Sequence, residues 1–377
     1  MEGCICLWVH PFSYLSFSAK KEQLMIKLLL YPLSLLYGVV VYFRNKIYDL
    51  GIKKSKKFDL PIISVGNITV GGTGKTPHVE YLVNLLKDEF EVATLSRGYK
   101  RKTKGFFYVD TNSTIQEVGD EPLQIKMKFT DITVSVCENR VVGVENLLKH
   151  GGRKVPEVVL LDDAFQHRRI TPGMNILLID YNRPIHKDTF LPTGRLRESI
   201  SQTKRANVMI FTKCPDILNL HQQKNLQDKV GLKPGQEIFF TSLGYEKLKP
   251  VFSANYIDND FYEKPIYSAL IVTGIASPKL MHKYLNKILK DFETITFPDH
   301  YNFTEGDIIT IQKKFNGLNS EKKIIITTEK DAVRLKDRED LPNEIINSLY
   351  YLPIKVKFLA NGEKTFNKKI LDYVGSN

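Results

Sequence analysis

The segment VGNITVGGTGKTPHVEYL, residues 65–82, combines clustered glycines with a lysine and a threonine, which are the residue types that hold nucleotide phosphates. It departs from the common pattern G-x-x-x-x-G-K-[ST] because Thr69 stands where the first glycine is expected. Glycines ahead of a helix still let backbone N–H groups turn toward phosphate oxygens. The segment therefore predicts a nucleotide site formed by Gly71, Gly72, Thr73, Gly74, Lys75 and Thr76. The strand-like run before the loop and the helical spacing after it favour this site over a glycine-rich turn with an incidental lysine.

Two adjacent aspartates follow an apolar run in EVVLLDDAFQHRR, residues 157–169. A carboxylate at the end of a buried strand can reach Mg²⁺ beside a bound nucleotide, so Asp162 and Asp163 are predicted metal ligands. The alternative is that the two aspartates cap a helix. The phosphate loop upstream favours the magnesium site.

Three more strings carry charged residues whose role the residue types alone do not decide. Asp120 in GDEP precedes a probable helix and reads by itself as an N-cap. Arg140 in CENRVVG and Arg195 and Arg197 in LPTGRLRESI offer basic groups able to clamp phosphate oxygens, although most arginines only solvate a surface, and the second string also contains the carboxylate of Glu198. None of these strings is specific alone.

The elements that must position these residues are short apolar runs: PIISV, EVATL, ITVSV, EVVLL, NILLI and NVMIF. Helical or loop segments separate most of them, and this alternation predicts a parallel α/β sheet flanked by helices, like that of P-loop NTPases. Ligands of such sheets lie beyond the carboxyl ends of the strands. Polar or small residues follow the runs there, namely Gly66, Ser96, Asp162, Asp180 and Thr212.

The chain divides into four predicted segments. Residues 1–24 form a leader to which no function is assigned, residues 25–50 a hydrophobic membrane-anchor helix, and residues 51–245 the P-loop domain. Around residues 230–265 the pattern becomes turn-rich, and strand and helix patterns resume afterwards. Residues 246–377 are therefore predicted to form linker strands and a second, smaller α/β domain.

The anchor is predicted from an uncharged run of 16 residues, LLLYPLSLLYGVVVYF, with basic residues on both sides. A straight helix of that length reaches about 24 Å, short of the roughly 30 Å hydrocarbon core, and Pro32 and Gly38 are expected to interrupt it. A membrane-inserted or interfacial anchor is preferred to a buried helix. A signal peptide ranks third, since no A-x-A-like cleavage site follows.

Composition sets broad limits on the class of protein. The 377 residues are 42% hydrophobic and 25% charged, which is ordinary for globular domains, and the net charge of +12 suits phosphorylated substrates, anionic membranes or nucleic acid alike. The four cysteines show no metal-ligand spacing, which favours a reduced compartment and argues against a zinc site.

Taken together, these strings resemble the tetraacyldisaccharide 4′-kinase family, the lipid A 4′-kinases. The matching strings are VGNITVGGTGKTP, LSRGY, GDEP, ENR, DDAFQH, LPTGRLRE, TGIASP, FPDHYNF and TEKDAVRL. They run in order from Val65 to Leu335, and this family's phosphate loop also lacks glycine at the position of Thr69. The resemblance implies a kinase that transfers the γ-phosphoryl group of ATP, with Mg²⁺, to the 4′-hydroxyl of a tetraacyl disaccharide 1-phosphate. The implied location is the cytoplasmic face of the inner membrane.

The resemblance also implies roles for individual residues. Asp120 is the expected general base, assisted by His300, and phosphate is expected to be stabilised by Lys75, Arg140 and Arg197. The expected metal ligands are Thr76 and Glu198 together with Asp162 or Asp163, and the sequence leaves open which of the two aspartates binds the metal. The expected substrate-binding residues are Asn67, Arg97, Gln166 and His167.

Two other P-loop functions predict sequence features that can be compared with this chain. A GTPase should carry [NT]-K-x-D after the strand VMIFTK, but TKCPD places Asp216 one residue too late. A basic nucleic-acid-associated ATPase should carry aromatic and basic stacking elements or a recognition helix, and the sequence shows neither. No nucleic-acid partner is therefore expected, and the sequence leaves the oligomeric state open.

Overall fold

The computed structural model describes residues 12–149, 153–252, 259–275 and 278–376. Within these residues nine strands form one sheet: β1 (Ile62–Gly66), β2 (Val92–Ser96), β3 (Phe107–Tyr108), β4 (Thr133–Val136), β5 (Val158–Asp162), β6 (Met174–Asp180), β7 (Val208–Thr212), β8 (Glu237–Tyr245) and β14 (Ile354–Phe358). The helices of this part of the chain are α2 (Lys75–Leu86), α3 (Ile115–Val118), α4 (Asp120–Lys128), α5 (Arg140–Leu147), α6 (Leu220–Val230) and α11 (Gly362–Gly375).

The strand order is β14-β8-β7-β6-β1-β5-β2-β4-β3, and all neighbours are parallel except β3 with β4 and β14 with β8. Residues of β1, β5 and β7 are buried throughout, because helices cover the faces of the sheet. The parallel arrangement brings the carboxyl ends of β1 and β5 to one edge, and the phosphate loop and the two aspartates begin there. The predicted α/β fold class is confirmed.

A second, smaller sheet contains β9 (Lys249–Pro250), β10 (Ser268–Thr273), β11 (Asp291–Thr296), β12 (Lys323–Thr328) and β13 (Leu349–Leu352). Its helices are α7 (Lys279–Leu285), α8 (Glu305–Asn316), α9 (Glu329–Lys336) and α10 (Asn343–Ser348). Its strands are parallel apart from β9, and its own apolar core includes Leu270, Ile325 and Leu349. Helix α9 packs against α4, so the two sheets meet beside the helix that begins with Asp120.

The end of the chain returns to the first sheet. Strand β14 pairs antiparallel with β8, and α11 buries Phe366, Ile370 and Val374 in the core that also contains Val79 of α2. Residues 354–375 therefore belong structurally with the P-loop sheet, whereas the sequence placed them in the smaller domain. Local pattern cannot reveal this return, because the pairing joins segments about a hundred residues apart. The division at residue 245 otherwise stays a prediction.

Helix α1 (Phe12–Asp49) is longer than the predicted anchor and continues through Pro32 and Gly38. The expected interruption is therefore wrong, because a proline removes one helical hydrogen bond without ending this helix. The stretch Met25–Asp49 is long and apolar enough to cross a membrane by length and composition. The helix also takes in residues 12–24 of the predicted leader, while residues 1–11 lie outside the described residues.

Candidate active site

The phosphate loop connects β1 to α2 through backbone conformations that favour glycine. Gly71 and Gly74 have φ angles of 99° and 87°, in the left-handed region where a side chain would be strained. The loop is tied down by hydrogen bonds on both sides: Asn67 Nδ2 donates to Thr73 Oγ1 at 2.8 Å, and Thr212 Oγ1 donates to the Thr73 carbonyl at 2.8 Å. Helix α2 begins at Lys75, so its N-terminal N–H groups face the loop where phosphate is expected.

The two aspartates lie at the end of β5, next to the loop. Asp162 is the last residue of the strand and is 2% exposed. Asp163 has a φ of 46°, which is uncommon for a residue with a side chain and marks a position held by its surroundings. Lys75 Nζ lies 3.7 Å from Asp163 Oδ1, and Arg197 Nη2 donates to the same oxygen at 2.8 Å. The predicted lysine, arginine and aspartate therefore share one site.

The pKa values of the two aspartates move in opposite directions. Burial raises the pKa of the Asp162 carboxyl to about 7, and the nearby charge of Glu121 adds to the shift. Burial acts in the same direction on Asp163, but the charges of Lys75 and Arg197 outweigh it and lower its pKa to about 2. Asp162 Oδ1 is also buried without a hydrogen-bond partner. An unpartnered carboxylate oxygen beside a phosphate loop fits a divalent cation, which would favour the ionised form of Asp162.

Glu198, the fourth predicted metal ligand, has a different environment. It is fully buried, its Oε2 pairs with Arg205, and Gln166 Nε2 donates to that oxygen at 3.3 Å. Among the described residues no group of three or more His, Cys, Asp or Glu side chains is placed to hold a metal ion.

Arg140 is buried, and its guanidinium group donates hydrogen bonds to backbone carbonyls. It donates to the carbonyls of Cys137 and Asp162, both at 3.0 Å, and burial lowers its pKa from the usual value. Here it supports the end of β5, and its predicted contact with phosphate stays a prediction.

Asp120 and His300, which are 180 positions apart, meet where the two sheets face each other. Asp120 is 4% exposed, and its Oδ2 accepts a hydrogen bond from His300 Nδ1 at 2.9 Å. Lys330 Nζ donates to His300 Nε2 at 2.9 Å, which assigns the hydrogen of the neutral imidazole to Nδ1. His300 has a φ of 58°, a further sign of a constrained position. The N-cap position of α4 belongs to Gly119, while Asp120 Oδ1 accepts a hydrogen bond from the Glu121 backbone N–H at 2.9 Å in the first turn.

Three charged neighbours of this pair received no role from the sequence. Arg334 Nη2 pairs with Asp120 Oδ2, and Lys330 Nζ lies 3.9 Å from the same oxygen and 3.4 Å from Glu121 Oε1. Burial alone would raise the pKa of Asp120, but the His300 hydrogen bond and the charges of Lys330 and Arg334 outweigh it and hold that pKa well below its usual range. All three residues lie in the strings TEKDAVRL and GDEP, and the match of these strings to the family is the sequence feature that could have identified them.

The predicted substrate-binding residues divide into supporting and accessible groups. Asn67 is buried, and its carbonyl accepts a hydrogen bond from Gln166 Nε2 at 2.8 Å. His167 Nε2 accepts from the Arg140 backbone N–H at 3.3 Å, and burial lowers the His167 pKa to about 4. Arg97 is exposed. Of the four, Arg97 is the side chain most open to a ligand.

A cavity of about 390 Å³ opens beside the Asp120 and His300 pair. Its lining includes Tyr99, Lys100, Lys102 and Arg338. It therefore offers an aromatic face and positive charge within reach of a carboxylate, which suits an anionic ligand.

The strand, glycine loop and helix, the lysine beside an aspartate pair and the buried Asp120 carboxylate define a P-loop phosphotransferase. A model of the tetraacyldisaccharide-1-P 4′-kinase family matches residues 26–375, and the chain belongs to this family. The tetraacyldisaccharide 4′-kinase of Phocaeicola vulgatus is 47% identical over 92% of this chain and 95% of that protein. The enzyme of the same name from Flavobacterium johnsoniae is 44% identical over 94% of this chain and 98% of that protein.

A solved structure gives the same result. The chain matches LpxK from Aquifex aeolicus in complex with ATP, with a TM-score of 0.69 and 31% identity over 93% of this chain and 99% of that one. The expected family and the kinase class are thereby confirmed, and the solved structure holds ATP. The GTPase and nucleic-acid alternatives are set aside.

Proposed function

We propose that this protein transfers the γ-phosphoryl group of ATP to the 4′-hydroxyl of a tetraacyl disaccharide 1-phosphate, with Asp120 receiving the hydroxyl proton. The observation that supports these roles best is the 2.9 Å hydrogen bond between Asp120 and His300, together with the effect of Glu121, the residue after Asp120, on the pKa of Asp162 at the phosphate loop. The chain thus offers a phosphate-binding donor site and a carboxylate that can accept a proton. Phosphoryl transfer requires both.

On the donor side, the backbone N–H groups of the glycine loop and the Lys75 ammonium group hold the phosphates of ATP. Thr76 and Asp162 would hold Mg²⁺, which would supply charge neutralisation when bound. Arg197 Nη2 donates to Asp163 Oδ1 at 2.8 Å, so the guanidinium group lies at the aspartate pair. From there it stabilises the negative charge that develops on the transferred phosphoryl group.

On the acceptor side, the low pKa of Asp120 keeps the carboxylate ionised at every physiological pH. Such a carboxylate is a weak base toward a free hydroxyl. The carboxylate becomes an adequate base only when the hydroxyl oxygen starts to bond to phosphorus, because the hydroxyl proton then becomes more acidic. Late proton transfer of this kind agrees with the loose transition state of phosphoryl transfer. His300 donates to Asp120 through Nδ1–H and so orients the carboxylate.

The proposed location is the cytoplasmic face of the inner membrane, where ATP is present. Helix α1 presents large apolar side chains to solvent, including Leu29, Leu36 and Phe43, and this surface fits a bilayer. The basic residues that flank the apolar run and the net charge of +12 favour an anionic lipid surface. An enzyme held at that surface searches for its acylated acceptor in two dimensions.

The test is to incubate the protein with ATP, Mg²⁺ and the monophosphorylated lipid disaccharide in detergent micelles and to separate the lipid products. We expect a bisphosphorylated lipid, with GTP a poorer donor than ATP. The Lys75→Ala variant controls for contaminating kinases. Absence of the product from wild-type protein that binds ATP would reject the proposal.

A further inference from the structure

One face of α1 is packed against the protein although most of the helix is exposed. The buried positions Ser34, Val41 and Asn45 recur with helical spacing, while Val40 on another face is 59% exposed. Two of the three buried side chains are polar. A helix that served only to hold the protein in a bilayer would not need polar groups on a buried face.

This face contacts residues 190–198, which we call the strap. Ser34 Oγ lies 2.7 Å from Thr193 Oγ1, and Tyr37 Oη donates to the Arg197 carbonyl at 3.2 Å. The Thr193 N–H also donates to Ser34 Oγ at 3.1 Å, so three hydrogen bonds that involve α1 side chains join the helix to the strap.

Gly38 is the point of closest approach between the helix and the strap. A Cβ atom built at Gly38 would lie 2.8 Å from Cδ2 of the Phe190 ring, a separation that real Cβ atoms essentially never show. The Tyr37 and Phe190 rings are also neighbours, with centroids 6.2 Å apart. Gly38 therefore lets the strap ring lie against the helix backbone, and any side chain there would move the ring.

The strap is bonded in turn to the chain that leads into the phosphate loop. The Arg197 N–H donates to the Ile68 carbonyl and the Val70 N–H donates to the Arg195 carbonyl, both at 2.8 Å. Two main-chain hydrogen bonds of this kind make a short antiparallel pair, which moves as a unit.

The strap also carries a catalytic side chain. The Arg197 guanidinium bonds both carboxylate oxygens of Asp163, at 2.8 and 3.2 Å, and contacts Asn67. A second connection bypasses the strap: Arg44 of α1 donates to the Gln166 carbonyl, and Gln166 Nε2 donates to the Asn67 carbonyl at 2.8 Å. Both routes end at residues beside the phosphate loop.

We infer that α1 is a positioning element of the active site as well as an anchor, with Tyr37 and Gly38 setting the place of Arg197 through the strap. This inference rests on the proposed function, because kinase turnover is its readout. The geometry of phosphoryl transfer depends on how α1 is seated, so disturbing the helix and strap contact lowers kcat even where the membrane surface of α1 is intact.

The decisive variant is Gly38→Ala in the full-length protein. Alanine has a higher helix propensity than glycine, so the substitution favours α1 itself while displacing Phe190. We expect kcat to fall about tenfold to a hundredfold, the effect of misplacing reacting groups by roughly 1 Å, with KM for ATP changed much less. Sedimentation with phosphatidylethanolamine and phosphatidylglycerol vesicles should show unchanged membrane association.

The matched control is Val40→Ala, an alanine on the exposed face of the same helix, which should keep wild-type kcat. Adding Phe190→Leu to Gly38→Ala removes the ring that the new methyl group meets and should restore part of the lost kcat. Tyr37→Phe removes only the hydroxyl that bonds the strap, and should lower kcat about fivefold, the scale of one neutral hydrogen bond. Tyr42→Phe, an exposed tyrosine on α1, is its control.

Wild-type kcat in Gly38→Ala would overturn the inference, and so would an equal loss in Val40→Ala or a loss that follows reduced vesicle binding. If Gly38→Ala lowers the thermal unfolding midpoint, Tyr37→Phe decides alone, and wild-type turnover there overturns it. Failure of the proposed function is distinct, since the wild-type protein would then form no bisphosphorylated lipid.

Discussion

Removing the Asp120 carboxylate and the His300 imidazole, singly and together, tests the proposed proton acceptor most directly. Asp120→Ala should lower kcat roughly 10²- to 10⁴-fold, the range for loss of a general base, with little change in KM for ATP because the nucleotide site is separate. His300→Ala should lower kcat roughly 10- to 30-fold, since it removes a hydrogen bond to a charged group worth about 1.5 to 2 kcal/mol. Its bond to Asp120 is 2.9 Å long.

The double variant should lose less than the product of the two factors. His300 acts on the hydroxyl only through Asp120 in this arrangement, so its removal costs little once the carboxylate is gone. The expected coupling free energy is about 1 to 2 kcal/mol, typical of residues in direct contact. Independent effects would multiply instead, and the coupling would be close to zero.

Stability must be measured beside turnover, because Asp120 is also a buried partner of Arg334. Its removal should cost roughly 3 kcal/mol of unfolding free energy, at the lower end for breaking a buried ion pair. Arg334 keeps its 2.8 Å contact with Asp331, which limits the loss. Kinetics are compared below the unfolding transition of each variant. Strictly multiplicative losses, or an Asp120→Ala protein that is less stable yet fully active when folded, would refute the reasoning.

Three further predictions address the nucleotide site and the buried charges. Lys75→Ala and Thr76→Ala should each lower kcat by roughly 10²-fold or more with unchanged thermal unfolding midpoints, because they remove contacts to the reacting phosphates. Near-normal turnover in either variant would argue against the assignment of residues 71–76 as the phosphate loop. Because burial raises the pKa of Asp162 to about 7, the apparent Mg²⁺ affinity in turnover assays should rise as pH increases through 7. Asp162→Asn should abolish this pH dependence. If the pH dependence persists in the variant, another group is responsible for it. Burial and the charge of Glu329 raise the pKa of Glu80 from 4.5 to about 7, so the folded state binds this proton more tightly than the unfolded state and becomes less stable as pH rises across this interval. Glu80→Gln should therefore gain thermal stability relative to wild type between pH 5 and pH 8. Unfolding midpoints that change with pH in parallel for the two proteins would contradict this prediction.

Much of the nucleotide half of the site could be predicted because its signals are local. The positions of Gly71 and Gly74 follow from the need for left-handed backbone at those residues, and the structure has φ angles of 99° and 87° there. The apolar runs that precede Gly66 and Asp162 became buried parallel strands, so their polar ends share one edge. Periodicity and turn chemistry act over a few residues, and one sequence is enough to read them.

The sequence says less about which charged side chains are buried and which groups they bond. Glu198, an expected metal ligand, is fully buried with one oxygen on Arg205 and the other without a hydrogen-bond partner, so its role stays a prediction, and Arg140 donates to backbone carbonyls. A charged residue type shows which interactions are possible. Which one forms depends on the groups that the fold places around it and on the solvent that it excludes.

The sequence by itself determined the class of chemistry, because a glycine loop with Lys75 and a strand-end aspartate pair are complete within short segments. Tertiary structure alone decided what those segments face. It brought His300 and Arg334 onto Asp120, returned residues 354–375 to the first sheet, and seated α1 on the strap. Each of these contacts joins positions more than a hundred residues apart. Their formation depends on packing whole elements together, which no local pattern encodes.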